Sequence, residues 1–128
     1  MNYEIFLSSR KTYLQISVNE SVTSELLKDF IGETAKKAKD CRIDNFLFDL
    51  RCAPNRTNAF CHYEMVYKES PKLGFKPNSK HALLVSEKDL VDYSFVETIL
   101  FNAGYQTKIF TEELSAIEWL EKKTSAPN

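Results

Sequence analysis

The sequence predicts an α/β fold: an N-terminal β-hairpin, then alternating strands and helices on one mostly parallel sheet flanked by helices. Three observations predict it. Residues 45–57 read Asn-Phe-Leu-Phe-Asp-Leu-Arg-Cys-Ala-Pro-Asn-Arg-Thr. Their nearly continuous apolar run, Phe46, Leu47, Phe48 and Leu50, is the pattern of a strand covered on both faces. Ala82, Leu83, Leu84 and Val85 form a second run of the same kind. Helical patterns separate and follow these runs, and such alternation calls for parallel pairing through right-handed crossovers.

The elements follow in order. Residues 3–7 and 12–18 are β-prone; Thr12, Leu14, Ile16 and Val18 alternate with Tyr13, Gln15 and Ser17, the period of a strand with one wetter face. The short polar connection Ser8-Ser9-Arg10-Lys11 makes the pair a hairpin, without the Asn-Gly or Asp-Gly signal that would fix its turn type. Residues 21–39 predict the longest helix. Val22, Leu26, Leu27, Phe30, Ile31, Ala35 and Ala38 share one face. Ser21 is the expected N-cap, and Lys36, Lys37 and Lys39 sit where cations suit the helix dipole.

After the central strand, residues 58–70 form a weaker helical pattern. Phe60, Tyr63 and Tyr67 recur at spacings of three and four, and Glu64 to Lys68 is a favourable i,i+4 pair. Residues 71–80, with two prolines, a glycine, an asparagine and a serine, read as a loop. Residues 81–86 are the next strand. Residues 90–103 are an amphipathic helix with Val91, Phe95, Val96, Ile99, Leu100 and Ala103 on one side and Gly104 at its end. Residues 105–110 are the last strand. Thr111 is the expected cap of a final helix that opens on Glu112 and Glu113 and closes on Lys122 and Lys123. One domain is expected over residues 1–123, with a flexible C-terminal tail at 124–128.

Composition narrows the function classes. Apolar residues make up 43% and charged residues 27% of the 128, ordinary for a globular domain that needs no disulfide or metal to hold a core. A net charge of −1 lacks the basic surplus of a nucleic-acid binder, so none is expected as a partner. Cys41, Cys52 and Cys61 are odd in number and lack Cys-x-x-Cys spacing, which points to reduced thiols in a cytoplasmic protein and away from a zinc site. The opening residues have no leader pattern, and no apolar run is long enough for a membrane span.

One loop gathers chemistry. Asp49, Arg51, Asn55, Arg56 and Thr57 lie at the carboxyl end of the central strand, where α/β folds bind ligands. Two guanidiniums and the start of a helix suit a small anion. The plainer reading is that Asp49 and Arg51, two apart on a strand and so on one face, form an ion pair, with Thr57 a helix cap. Phe60, Tyr63 and Tyr67 are expected in the core first and at a subunit contact second. His62 and His81 have no ligand partner at suitable spacing, and Cys61 and His62 point about 100° apart on a helix. No metal, cofactor or catalytic residue is therefore nominated. The segment Ser86-Glu87-Lys88-Asp89 reads as a solvated loop at the edge of the same crevice.

Several stretches resemble the SpoIIAA-like, STAS-related proteins of bacteria. These are Phe48-Asp49-Leu50-Arg51, His81-Ala-Leu-Leu-Val-Ser-Glu, Phe95-Val-Glu, Asn102-Ala-Gly-Tyr-Gln-Thr-Lys-Ile-Phe-Thr and Ala116-Ile-Glu-Trp-Leu. The order of elements is similar over nearly the whole chain. The resemblance implies a β–α superhelix on one sheet and a regulatory role, as in anti-sigma-factor antagonists switched by phosphorylation or domains attached to transporters. Those relatives carry an Asp-Ser-Ser-like signature at the start of the helix after the central strand. Here Arg56-Thr57-Asn58 stands in that place, and only Thr57 offers a hydroxyl. The divergent branch without assigned activity is the more similar one.

The sequence therefore leads us to expect a non-enzymatic binding or regulatory module that engages a protein partner or small anionic ligand at Asp49, Arg51, Asn55, Arg56 and Thr57. A homodimer through Phe60, Tyr63 and Tyr67 accompanies that expectation. The alternatives are a switch phosphorylated on Thr57, where an added phosphate could pair with Arg51 or Arg56, and an enzyme of unrecognised type.

Overall fold

The computed structural model describes residues 2–122; Lys123 and the tail expected at 124–128 lie outside the described residues. Five strands form one sheet in the order β1-β2-β3-β4-β5: β1 (Tyr3–Leu7), β2 (Leu14–Val18), β3 (Asn45–Asp49), β4 (Lys80–Leu84) and β5 (Gln106–Phe110). β1 runs antiparallel to β2, and the other pairings are parallel. The run at Phe46 is thus the middle strand of the sheet, between parallel neighbours, as its composition predicts.

Period-two alternation divides the core into two layers. Phe46 and Phe48 of β3, with Leu83 of β4, face a large cluster completed by Leu26, Leu27 and Phe30 of α1 (Ser24–Cys41), Met65 and Val66, and Tyr93, Val96 and Leu100 of α4 (Leu90–Asn102). Leu47, Ala82 and Leu84 face the opposite way, against Ala116 and Leu120 of α5 (Glu113–Glu121). Strands added in one direction by right-handed crossovers place every connecting helix on the same face. Only α5, which follows the last strand, is free to cover the other. Among the described residues, no helix is long and apolar enough to cross a membrane.

Several expected boundaries and caps move. The hairpin turn is longer than expected: Lys11 is left-handed (φ 58°), Ser8 Oγ accepts from the Thr12 and Tyr13 amides, and β2 starts at Leu14. Thr23, not Ser21, caps α1 by accepting from the Leu26 amide. The preceding Val22 is held extended by a parallel bridge to Asn55, with Val22 N–H donating to Pro54 O and Arg56 N–H to Val22 O. α4 enters through a 3-10 turn (Glu87–Asp89); Val96 and Leu100 are buried and Phe95, Ile99 and Ala103 pack against the core as expected, while Val91 is 83% exposed and Tyr93, 1% exposed, faces inward. α5 begins after Glu112 without a side-chain cap, so Thr111 does not serve as one.

The helix after β3 departs most. It is one rod in three parts: α2 (Ala59–Glu64), a π-helical turn (Met65–Glu69) and α3 (Ser70–Leu73), ending at left-handed Gly74 (φ 94°). Pro71, expected in a loop, lies in the first turn of α3. A proline inside a helix removes a donor and crowds the preceding turn. Widening the ladder before it, where the Ser70 amide donates to Met65 O, accommodates both defects.

Candidate functional site

The loop after β3 is fixed by bonds from both flanks. Leu50 N–H donates to Leu84 O of β4 (2.7 Å), and the Ala53 amide turns back to Leu50 O (3.0 Å). The Tyr93 hydroxyl, from α4, donates to Ala53 O. Pro54 and Arg56 zip to Val22 as described. Asn55 ties the rest: its side-chain amide donates to Asp92 O (3.2 Å), and its Oδ1 accepts from the Thr57 amide (3.2 Å). The same oxygen lies 3.2 Å from His62 Nε2, so this nitrogen carries the ring proton of the neutral imidazole. His62 is buried, and desolvation pulls its pKa down to about 4.

The nominated residues divide into two groups. Asp49 and Arg51 form a bidentate pair, Nε to Oδ1 at 3.0 Å and Nη2 to Oδ2 at 2.9 Å, and the Arg51 amide also donates to Asp49. The guanidinium's hydrogen bonding to the Asp49 carboxylate raises the Arg51 pKa, and Glu113 stands 4.0 Å away. Arg51 is thus engaged by carboxylates. Arg56 is exposed and has no ion pair among the described residues. Thr57 is half-buried and is not the helix cap; Asn58 is, its side chain accepting from the Cys61 amide at 2.9 Å. The segment expected as a solvated loop is instead the 3-10 turn, with Asp89 buried and accepting from Ser86 Oγ at 3.0 Å.

The aromatic stripe leaves the core. Phe60 is 67% exposed, Tyr63 50% and Tyr67 38%, and the two tyrosine rings stack with centroids 4.5 Å apart. The inward face of the rod carries His62, Met65, Val66 and Ser70 instead. Both faces of residues 58–70 are rich enough in carbon to be buried, so spacing alone did not choose between them. The adjacent apolar pair Met65-Val66 was the available signal. Cys61 and His62 diverge as a helix dictates: Cys61 is half-exposed beside α1, while His62 turns inward.

His81, on β4, is enclosed by the rings of Phe46, Phe48, Phe75 and Tyr105, with centroids 4.9–6.0 Å away. Its Nε2 meets Ser79 Oγ at 2.9 Å, and burial lowers its pKa to about 3. Both histidines are therefore neutral interior groups. No protein-family model, curated protein or solved structure matches the chain.

Proposed function

We propose that this chain is a non-enzymatic binding module of the SpoIIAA-like, STAS-related kind, and that its partner is a protein. The observation that carries this reading is the exposed aromatic face of Phe60, Tyr63 and Tyr67, continuous with a loop fixed on both sides. Aromatics and arginine are enriched at protein interfaces. A surface already ordered loses little entropy when it is bound. A protein is favoured over a small anion because Asp49 occupies the Arg51 guanidinium, which leaves Arg56 as the loop cation to receive a ligand. The element order and the sequential strand order, with an antiparallel first pair and parallel pairs after it, support the family reading.

Two measurements test it. Titration with inorganic phosphate, followed through the backbone amides of residues 51–58, is expected to give no saturable shift. A saturable shift abolished by Arg56→Ala would return the site to a small anion. A photo-crosslinking residue at position 63, in cells that make the protein, is expected to give a protein adduct that position 114 does not. Leu114 is a fair control, being 76% exposed on α5, which packs on the other face of the sheet.

A further inference from the structure

Behind the fixed loop lies an interior cavity of about 60 Å³. It is bounded by the sheet, α1, the π-widened rod and α4, with Leu50, His62, Val66, Leu83, Tyr93 and Val96 among its walls. Each of these six is buried. The lining is overwhelmingly carbon. Three polar groups nearby are turned to other partners, His62 Nε2 to Asn55, His81 Nε2 to Ser79 and the Tyr93 hydroxyl to Ala53 O, and Ser70 is the other hydroxyl in the lining. A buried water needs two or more polar partners, and apolar cavities without them stay dry. The volume exceeds the space of one water, whereas a cavity that admits benzene measures about 150 Å³.

Two of the walls also hold the loop. His62 is fastened to Asn55, and Tyr93 to Ala53; Leu50 is the loop's first residue, bonded to β4. Anything that pushes on this cavity pushes on the residues that position Arg56 and Thr57. The wall between them includes the π turn, and such turns in helices frequently accompany functional sites.

We propose that the cavity is a binding site for an uncharged apolar molecule smaller than benzene, such as a short alkane or small halocarbon, and that its occupancy adjusts the loop through His62, Tyr93 and Leu50. The adjustment rests on the reading of that loop as part of the recognition surface; binding in the cavity does not. A ligand confined by the cavity gains from dispersion contacts the empty space forfeits, and it shifts the loop only as far as it prefers one arrangement of the walls.

Xenon is the probe. Under increasing xenon pressure, the methyl resonances of Met65, Val66 and Leu83 are expected to shift and saturate, and the Asn55 side-chain amide to follow the same curve. Val66→Ile and Val96→Ile, which each add one carbon from a different wall, are expected to abolish the shifts. Leu83→Ala enlarges the space and is expected to admit benzene. Absence of saturable methyl shifts, or shifts that survive both filling variants, would overturn the site. Methyl shifts with a stationary Asn55 amide would overturn its link to the loop. Adducts at position 63 read the partner independently, so failure here and failure of the binding-module reading remain distinct.

Discussion

Acidification from pH 7.5 to pH 5 should cost this protein about 4 kcal/mol of stability, through two buried imidazoles. His62 is 4% exposed and His81 5%, and desolvation lowers their pKa values to about 4 and about 3. An unfolded histidine titrates near 6.5. Below that value the unfolded chain binds protons that the folded chain refuses, so acid favours unfolding. The contribution is fully present above pH 6.5 and is lost as pH falls toward the folded values. At pH 5 each unfolded imidazole is almost wholly charged while each folded one is almost wholly neutral, and the difference is about 2 kcal/mol per histidine. Against a total of about 5–15 kcal/mol for a domain, that is a large fraction. Stopping at pH 5 stays above the ordinary carboxylate range.

Urea unfolding at pH 7.5, 6.5, 5.5 and 5, followed by circular dichroism, measures the effect. The slope with pH should steepen below 6.5, and His62→Gln should remove about half of the loss. The result that refutes the reasoning is a stability unchanged between pH 7.5 and 5, or a loss of the same size in the His62 and His81 variants as in the native chain.

Further outcomes follow from the loop. Tyr93→Phe removes the hydroxyl that meets Ala53 O; unfolding should show a loss of about 1–2 kcal/mol, with faster amide exchange at Arg56 and Thr57. Asn55→Ala frees His62 Nε2 and the Thr57 amide together, and should cost about 1–3 kcal/mol by the same measurement. A double-mutant cycle on Asp49 and Arg51 should give a coupling of only about 0.5–1 kcal/mol, because the arginine side chain is 42% exposed; coupling several times larger would show that the pair is shielded from water.

How much was legible in the chain depended on how local each signal was. Phe46–Phe48 and Ala82–Leu84 announced buried strands because each is a short, unbroken apolar run between turn-forming residues. The alternation from Leu14 to Val18 gave the strand beside them. Ser21 failed as a cap because Val22 bonds to residues more than thirty positions away, which no window around Ser21 contains. Pro71 signalled a break, but the helix absorbed it by widening. The aromatic stripe was misassigned to the core because both faces of that helix carry apolar residues, and the sheet, not the periodicity, selected His62, Met65 and Val66. Tyr93 went unnoticed for a related reason: its ring suits either side of a helix until Ala53 O appears as a partner for its hydroxyl. The Asp49–Arg51 pair was readable from strand spacing. The cavity was not, since empty volume is a property of packing among four elements.

The most direct measurement scans a photo-crosslinking residue through positions 56, 60, 63 and 67, and through the exposed positions 6, 91, 101 and 114, in cells that make the protein. We expect one protein adduct shared by the first four and missing from the others, lost when Phe60→Ser and Tyr67→Ser are combined in a chain labelled at 63. Adducts distributed equally over both sets, or none at the first four, would contradict the assignment of this face as the surface by which the module works.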